Sequence, residues 1–414
     1  MTDSASSDAV AALDAADPLR ALRDRFALPD GVIYLDGNSL GPPPKAAFDE
    51  VSHAMRQEWG DGLIRSWNAA GWFTLTDTLG DRVGRLIGAE PGETVVTDTT
   101  SINIYKALHA ALALRPDRGV ILAEADSFPT DLYMAEGVAK SRPGTTLRLA
   151  ASHEPIDTLI DERTAVVLIN HVDYRSGVLR DMAGLTGRAQ AAGALVVWDL
   201  CHSVGALPID LNAAKADFAV GCTYKYLNGG PGAPAFVFAA RRHHDRLAQP
   251  LSGWWGHAQP FAMASTFQAA PGIRRMLCGT QPILSLRALE AALDVFDDVD
   301  LAALRTKSLA LTDLFMDLLA PISREFGLRI VTPSDPALRG SHVSVAFGHG
   351  YEVVQALIDR GIIGDFRAPD IMRFGFTPLY LRYRDVLDAA KALADILRSG
   401  AWQEPRFAIR SLVT

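Results

Sequence analysis

Lys225 is the residue from which chemistry can be read most directly. It stands between Tyr224 and Tyr226, after the mostly apolar run Ala216 to Val220 and before Leu227-Asn228-Gly229-Gly230-Pro231-Gly232. A lysine at a strand end, walled by aromatic rings, is poorly solvated. Poor solvation disfavours the ammonium and leaves an amine able to add to a carbonyl. Turn lysines are ordinarily solvated surface residues, so partners elsewhere in the chain must distinguish the two uses.

One candidate partner is Asp199, which closes the buried strand-like run Ala-Leu-Val-Val-Trp-Asp that begins at Ala194. One crossover and one further strand separate it from Lys225, which brings both to the same sheet edge. A carboxylate there keeps a pyridine nitrogen protonated, and an amine there can bind a pyridoxal phosphate carbonyl. His202 is spaced to reach Asp199 or the same cofactor, and the Phe128 ring to stack on it. Asp98-Thr99-Thr100-Ser101 precedes the helical spacing Ile102, Tyr105, Leu108, Leu112. Hydroxyls and free N–H groups at such a helix start suit a phosphate, although the same residues serve equally as a plain N-cap. Asp36-Gly37-Asn38-Ser39-Leu40-Gly41 reads either as a simple turn or as a loop touching a ligand.

These residues need a scaffold, and the chain supplies alternating strands and helices. Strands are expected at Val32 to Leu35, Thr94 to Thr97, Gly119 to Glu124, Thr164 to Asn170, Ala194 to Asp199, Ala216 to Val220 and Ala235 to Phe238. The runs at 164–170 and 194–199 are apolar throughout, as in strands covered on both faces. This alternation predicts an α/β domain with a mainly parallel sheet, with ligands at the carboxyl ends of the strands. Asn170, Asp199 and the loops bearing Phe128 and Lys225 all fall there. Helices are expected from Asp17-Pro18 onward, over 45–60, at Met182 to Ala192 and at Ile283 to Phe296. Loops are expected at Asp61 to Phe73 and Ser127 to Asp131. Beyond about residue 300 the pattern becomes a smaller α+β unit. There a long helix, Leu301 to Glu325, precedes an alternating strand at Ser341 to Phe347. The expected division is 1–49, an N-terminal segment packing with the small domain; 50–298, the large domain; and 299–414, the small domain.

Composition narrows the classes. The 414 residues are 49% hydrophobic and 21% charged, with net charge −8, as in an ordinary globular protein and unlike a general nucleic-acid or anionic-membrane binder. Three cysteines without CxxC spacing give neither a disulfide framework nor a metal site. Met1 to Ala16 is small, polar and acidic, unlike a signal peptide, and no apolar run reaches the ~18 residues of a membrane span. A cytoplasmic location is expected.

The motifs together resemble the kynureninase family, within the fold-type I, class V pyridoxal-phosphate enzymes. The resemblance rests on Tyr34-Leu35-Asp36-Gly37-Asn38-Ser39-Leu40-Gly41, Phe128-Pro129-Thr130-Asp131, Trp198-Asp199-Leu200-Cys201-His202-Ser203-Val204-Gly205 and the Thr223 to Gly232 stretch. Gly253-Trp254-Trp255-Gly256-His257 and Arg373 before Thr377-Pro378-Leu379-Tyr380 extend it across nearly the whole chain. It implies a seven-stranded-type sheet in the large domain and a hydrolase that splits L-kynurenine into anthranilate and L-alanine. That is a step of tryptophan catabolism that also feeds NAD biosynthesis. It implies that Lys225 binds the cofactor, Asp199 pairs with its ring nitrogen and Phe128 stacks on the ring. Thr100, Ser101, Asp131, Asn170, His202 and Tyr224 hold its remaining groups. Trp254 and Thr280 would arrive from the other subunit of a homodimer with shared sites. Arg373, with Asn38, would hold the substrate α-carboxylate end, and Tyr224 and Ser39 would move protons. Family members that favour 3-hydroxykynurenine carry His, Ser and Asn where this chain has Trp67, Gly279 and Thr280, which implies a preference for L-kynurenine. A cysteine desulfurase or an aminotransferase of the same class is the nearest alternative. A non-catalytic cofactor-binding regulator is the more distant one; it would carry a DNA-binding appendage or a disrupted lysine site, and the sequence has neither.

Overall fold

The computed structural model describes residues 3–152 and 154–410; the outermost positions of the expected division, 1–2 and 411–414, lie outside the described residues. The strands in chain order are β1 (Ile33–Tyr34), β2 (Thr94–Val96), β3 (Val120–Glu124), β4 (Thr146–Ala150), β5 (Thr164–Asn170), β6 (Leu195–Asp199), β7 (Phe218–Gly221) and β8 (Phe236–Ala239). The C-terminal unit adds β9 (Arg329–Ile330), β10 (His342–Ala346), β11 (Ile362–Ile363), β12 (Asp365–Arg367) and β13 (Ile371–Gly375).

Seven strands form the large sheet in the order β2-β8-β7-β6-β5-β3-β4. Pairing is parallel from β7 through β4, and β8 runs antiparallel to both of its neighbours. Every residue of β5, β6, β7 and β8 is buried. Their side chains divide with period two between two apolar layers. Val166, Leu168, Leu195 and Val197 join one core, and Val167, Ile169, Val196 and Trp198 the other. The Thr100–Leu114 helix lies across β5 to β8 on the first face; Met182–Ala191 covers β6 and Leu75–Leu86 covers β2. The result is an α/β domain whose strand carboxyl ends share one edge.

The C-terminal unit is α+β. Its sheet runs β12-β13-β10-β9, all antiparallel. The Leu301–Phe326 helix stops at Gly327 in the left-handed conformation (φ +71°), where the missing Cβ removes the penalty. The N-terminus belongs to this unit. β1 pairs in parallel with β11, and the Gly375 N–H donates to Leu35 O at 2.6 Å. The chain then crosses toward the large sheet, where Gly41 N–H donates to Tyr224 O at 2.8 Å. The Asp36 to Gly41 loop is thereby wedged between the two units.

Several expectations need correction. The 1–16 stretch carries the helix Asp3–Ala16, whose Asp14 accepts the Tyr383 N–H at 2.7 Å and so caps a second helix, Tyr383–Ser399. Asp17-Pro18 opens only a 3-10 turn, Arg20–Arg25; Asp17 Oδ1 accepts the Leu19 N–H at 2.9 Å while Oδ2 pairs with Lys307 at 2.7 Å. Residues 129–131 are not loop but the first turn of the helix Pro129–Ser141, with proline at a position that needs no N–H donor. The 61–73 loop contains the short helix Ser66–Ala69. β10 does not alternate in exposure: all five of its residues are buried, because its polar phase faces the large domain. The boundary at 49/50 falls inside the helix Lys45–His53, which packs on Ile283–Leu293, so the chain changes units ahead of Lys45.

Candidate active site

The site begins with a register. Asn170 and Asp199 are paired positions at the ends of β5 and β6. The Asn170 amide nitrogen donates to Asp199 Oδ2 at 2.7 Å and to Asp131 Oδ2 at 2.9 Å, and Asp199 Oδ1 accepts the Cys201 N–H at 2.8 Å. Two buried carboxyls therefore share one amide. Burial, then the proximity of Asp199, pushes Asp131 well above the usual carboxylate range.

Lys225 follows β7 and points back over this edge. Its Nζ is 3.3 Å from His202 Nε2, 5.8 Å from the Phe128 ring centre and 5.9 Å from that of Tyr224. Burial, then Lys225 and Arg373, holds His202 well below the usual histidine range, so its ring is neutral. Burial and then Cys222 raise the Tyr224 hydroxyl, which stays protonated. Thr100 and Ser101 open the Thr100–Leu114 helix; Thr99 is the cap, accepting the Ile102 N–H at 3.3 Å. Thr100 Oγ1 lies 3.7 Å from Cys201 Sγ, beside the Asp199 strand end.

A second pole lies on the small-domain sheet. Arg373 is fully buried. Its Nε donates to Asp365 Oδ1 at 2.8 Å, its Nη2 to Asp365 Oδ2 and to Ser39 Oγ (3.1 Å), and its Nη1 to Tyr174 O at 2.7 Å. Burial works against its charge, and Asp365 more than restores it. Tyr174 links the two poles: its ring meets Phe128 edge-on at 5.2 Å. Asn38 is fully buried beside Gly375, with neither side-chain atom hydrogen-bonded among the described residues.

The remaining expected residues form a separate group, in which Trp67 is half-buried against the large-domain core and Trp254 is exposed. Trp67 packs 5.2 Å from Trp255, Trp254 packs 4.7 Å from Trp255, and the Trp255 N–H donates to Cys278 O at 3.1 Å. Gly279 and Thr280 follow, both exposed. Among the described residues no hydrogen bond or ring contact joins this group to Lys225.

Tyr174, His342, Asp365 and Arg367 also line the site without being singled out in the sequence, and Asp36 joins them from a loop whose motif assigns it no role. Asp365 and Arg367 occupy Gly364-Asp365-Phe366-Arg367, just ahead of Arg373, and His342 lies in the polar phase of β10. A polar residue alternating within an otherwise apolar strand is the available signal for His342.

The donor set suits pyridoxal phosphate. A cofactor ring nitrogen would find the buried Asp199 carboxyl, backed by Asn170 and Asp131, as its partner. The orphaned Asn170 Oδ1 and the neutral His202 ring remain for polar groups on the cofactor's edge, and the Thr100–Leu114 helix start for its phosphate.

Residues 304–393 match the model of the kynureninase C-terminal domain. Over 408 residues the chain is 54% identical to the kynureninase of Pseudomonas fluorescens, covering 97% of this chain and 98% of that protein. The same identity and coverage hold for the kynureninase of Burkholderia pseudomallei strain 1106a. In fold it is similar to the apo structure of a cysteine desulfurase from Thermococcus onnurineus, with a TM-score of 0.78 at 18% identity over 92% of this chain and 98% of that one.

Proposed function

The chain belongs to the kynureninase family, and from that premise we propose how its residues divide the hydrolytic cleavage of L-kynurenine. The enzyme is a pyridoxal-phosphate-dependent hydrolase of the kynurenine pathway. When bound, the cofactor supplies the electron sink for cleavage of the substrate Cβ–Cγ bond. The observation that carries the assignment of roles is Lys225 Nζ, 3.3 Å from a neutral His202 and flanked by the Asp131–Asp199 pair and the Arg373 pole.

Lys225 anchors the cofactor and, once released, takes the substrate Cα proton. His202 accepts a hydrogen bond at Nε2 and holds the amine in place. With the cofactor bound, Asp199 would pair with the ring nitrogen, Asn170 and Asp131 would hold Asp199 in place, and Phe128 would stack on the ring. Thr100 and Ser101, at the start of the Thr100–Leu114 helix, would hold the phosphate. Arg373 takes the α-carboxylate through the N–H that Asp365, Ser39 and Tyr174 leave free, with Asn38 beside it. Water adds to the side-chain carbonyl, and anthranilate leaves. Tyr224, kept protonated by burial, returns a proton to the alanine fragment. Ser39 sits on Arg373 and Asp365, so its role is to orient the carboxylate pole and pass protons there.

The exposed Trp254 and Thr280 complete a neighbouring subunit's site in a homodimer, and Trp67 and Gly279 stand at the substrate's aryl ring. Exposed Met55, Trp59, Leu63, Ile64, Phe261 and Met263 support such an interface, since an apolar surface of that extent favours burial. The residues ahead of Lys45 act as an N-terminal segment of the small domain, the stretch from the helix Lys45–His53 to about residue 298 as the large domain, and the remainder as the small domain. No helix among the described residues is long and apolar enough to cross a membrane, and we place the enzyme in the cytoplasm. The desulfurase likeness is one of fold. Cys201 and Cys222 are buried, which disfavours a mobile cysteine nucleophile.

The test is to supply pyridoxal phosphate and follow release of anthranilate from L-kynurenine and of its hydroxylated counterpart from 3-hydroxy-L-kynurenine. The expected result is turnover of both, with L-kynurenine the better substrate. A preference for the hydroxylated compound would overturn the roles of Trp67, Gly279 and Thr280.

A further inference from the structure

The wedged loop delivers one group that these roles leave unused. Asp36 follows β1, and its carboxyl lies among Asp365 and Arg367 of β12, Arg373 of β13 and Ser39 of its own loop. Tyr34, Tyr226 and Tyr380 are the other titratable side chains that feel its charge. Asp36 Oδ1 is buried with no hydrogen-bond partner among the described residues. Asp365, by contrast, is saturated. It accepts from Arg373 at both oxygens and from Ser39 Oγ at 2.7 Å, and it forms an ion pair with Arg367 Nη2 at 2.7 Å.

The charge balance of the pole then turns on Asp36. Two guanidiniums face Asp365, which is committed to them. If Asp36 is ionised, the cluster is neutral and offers a third carboxylate no net attraction. If Asp36 is protonated, one positive charge is left over for an incoming carboxylate, and the acid O–H becomes a donor to it.

We propose that Asp36, as the neutral carboxylic acid, is a specificity-determining residue of the α-carboxylate site: the substrate's carboxylate seats at the Arg373 pole only when Asp36 is protonated, so ligand binding draws a proton from solution. This rests on the reading of Arg373 as the carboxylate seat.

The surroundings favour the acid form. Burial, then Asp365, raises Asp36 to about 7, with Ser39, Arg373 and Arg367 opposing. The groups packed around it stay out of that range. Burial works to raise Asp365, but Arg373 and then Arg367 outweigh it and hold it low. Burial lifts Tyr34, Tyr226 and Tyr380 and holds His202 and His342 down. A transition near neutrality at this pole therefore falls to Asp36. A second carboxylate arriving beside it raises it further, so between its free and liganded values the complex keeps a proton that the free enzyme has lost. Only the protonated fraction binds, so apparent affinity falls as pH rises through about 7, tending to about tenfold per pH unit above it.

The probe is 4-(2-aminophenyl)-4-oxobutanoate, which keeps the carboxylate and aryl ketone but has no α-amine to titrate or react. Its inhibition constant is measured against the holoenzyme from about pH 6 to 9. The wild type should show the rising constant, and Asp36→Asn a flat profile. Calorimetry of the wild type near pH 8, in two buffers of different ionisation enthalpy, should show uptake approaching one proton per site; this readout needs no variant. A wild-type slope retained in Asp36→Asn, or no proton uptake by the wild type, overturns the proposal. Arg373→Ala separates the two levels. If it does not weaken the probe, the carboxylate seat itself is misassigned. If it does weaken the probe while Asp36→Asn keeps the wild-type slope, only the role of Asp36 falls.

Discussion

Arg373 and Asp365 meet in a two-pronged ion pair, with Nε 2.8 Å from Oδ1 and Nη2 bonded to Oδ2, on paired positions of β13 and β12. Both are fully buried. Such a pair gives little net stability, but removing one partner strands a charge, at a cost of about 3–5 kcal/mol. Asp365→Asn should lower stability on that scale and raise KM for L-kynurenine more than it lowers kcat, because it disturbs the pole rather than Lys225. Denaturant unfolding and steady-state kinetics check both. An unchanged KM would show that the pole does not receive the substrate.

The wedge between the two units makes Gly41 sensitive. A Cβ there would come 2.3 Å from Lys225 O and 2.4 Å from Asn228 Oδ1, and backbone cannot withdraw as a flexible side chain can. Gly41→Ala should destabilise by about 1–3 kcal/mol and reduce kcat by moving the Lys225 turn. Thermal unfolding together with kcat tests this. Wild-type values for both would mean that the loop is not seated against Lys225.

Charge at the Asp131–Asp199 pair is expected to matter more than shape. Asp199→Asn keeps the size and can retain the Cys201 contact, but it removes the negative charge opposite the ring nitrogen. The expected loss is about 10²–10³ in kcat, with weaker retention of pyridoxal phosphate on dialysis. Near-normal kcat in this variant would remove Asp199 from its assigned role.

His171 gives a pH dependence whose sign can be worked out. Burial, then Arg180 and Arg305, lowers it to about 3 from an ordinary value of 6.5. Between those limits the unfolded chain binds a proton that the folded protein refuses. Its contribution is therefore complete above about pH 6.5 and is lost as pH falls toward 3, by at most about 1.4 kcal/mol per pH unit. Asp36 and Asp131 act in the opposite direction, so the informative quantity is the stability gap between wild type and His171→Gln. That gap should shrink as pH is lowered from about 7 to 5. A constant gap in urea unfolding would contradict it.

The parts of the site that were legible in the sequence are those fixed by short-range pattern. Asp199 and Asn170 could be read because an apolar run ending in a polar residue marks a buried strand's carboxyl end. Lys225 could be read because two aromatics and a glycine-rich turn surround it. The pole around Arg373 was only partly legible. Its partners Asp36 and Asp365 are more than three hundred residues apart, and the pairing of β1 with β11 that brings them together leaves no local periodic trace. The burial of both faces of β10 was illegible for the same reason. His342 and Ser344 alternate with valines as they would on a solvated face, but the face they occupy is closed by the other unit. The helix Asp3–Ala16 was hidden by its composition, since alanine and aspartate mark equally a helix and a polar tail.

The measurement that bears most directly on the whole assignment is single-turnover release of anthranilate and L-alanine from L-kynurenine, comparing wild type with Lys225→Ala after both are loaded with pyridoxal phosphate. The wild type should release the two products in equal amounts. The variant should be slower by several decades, since the same amine both anchors the cofactor and takes the Cα proton. Comparable rates in the two proteins, or release of only one product by the wild type, would contradict the account.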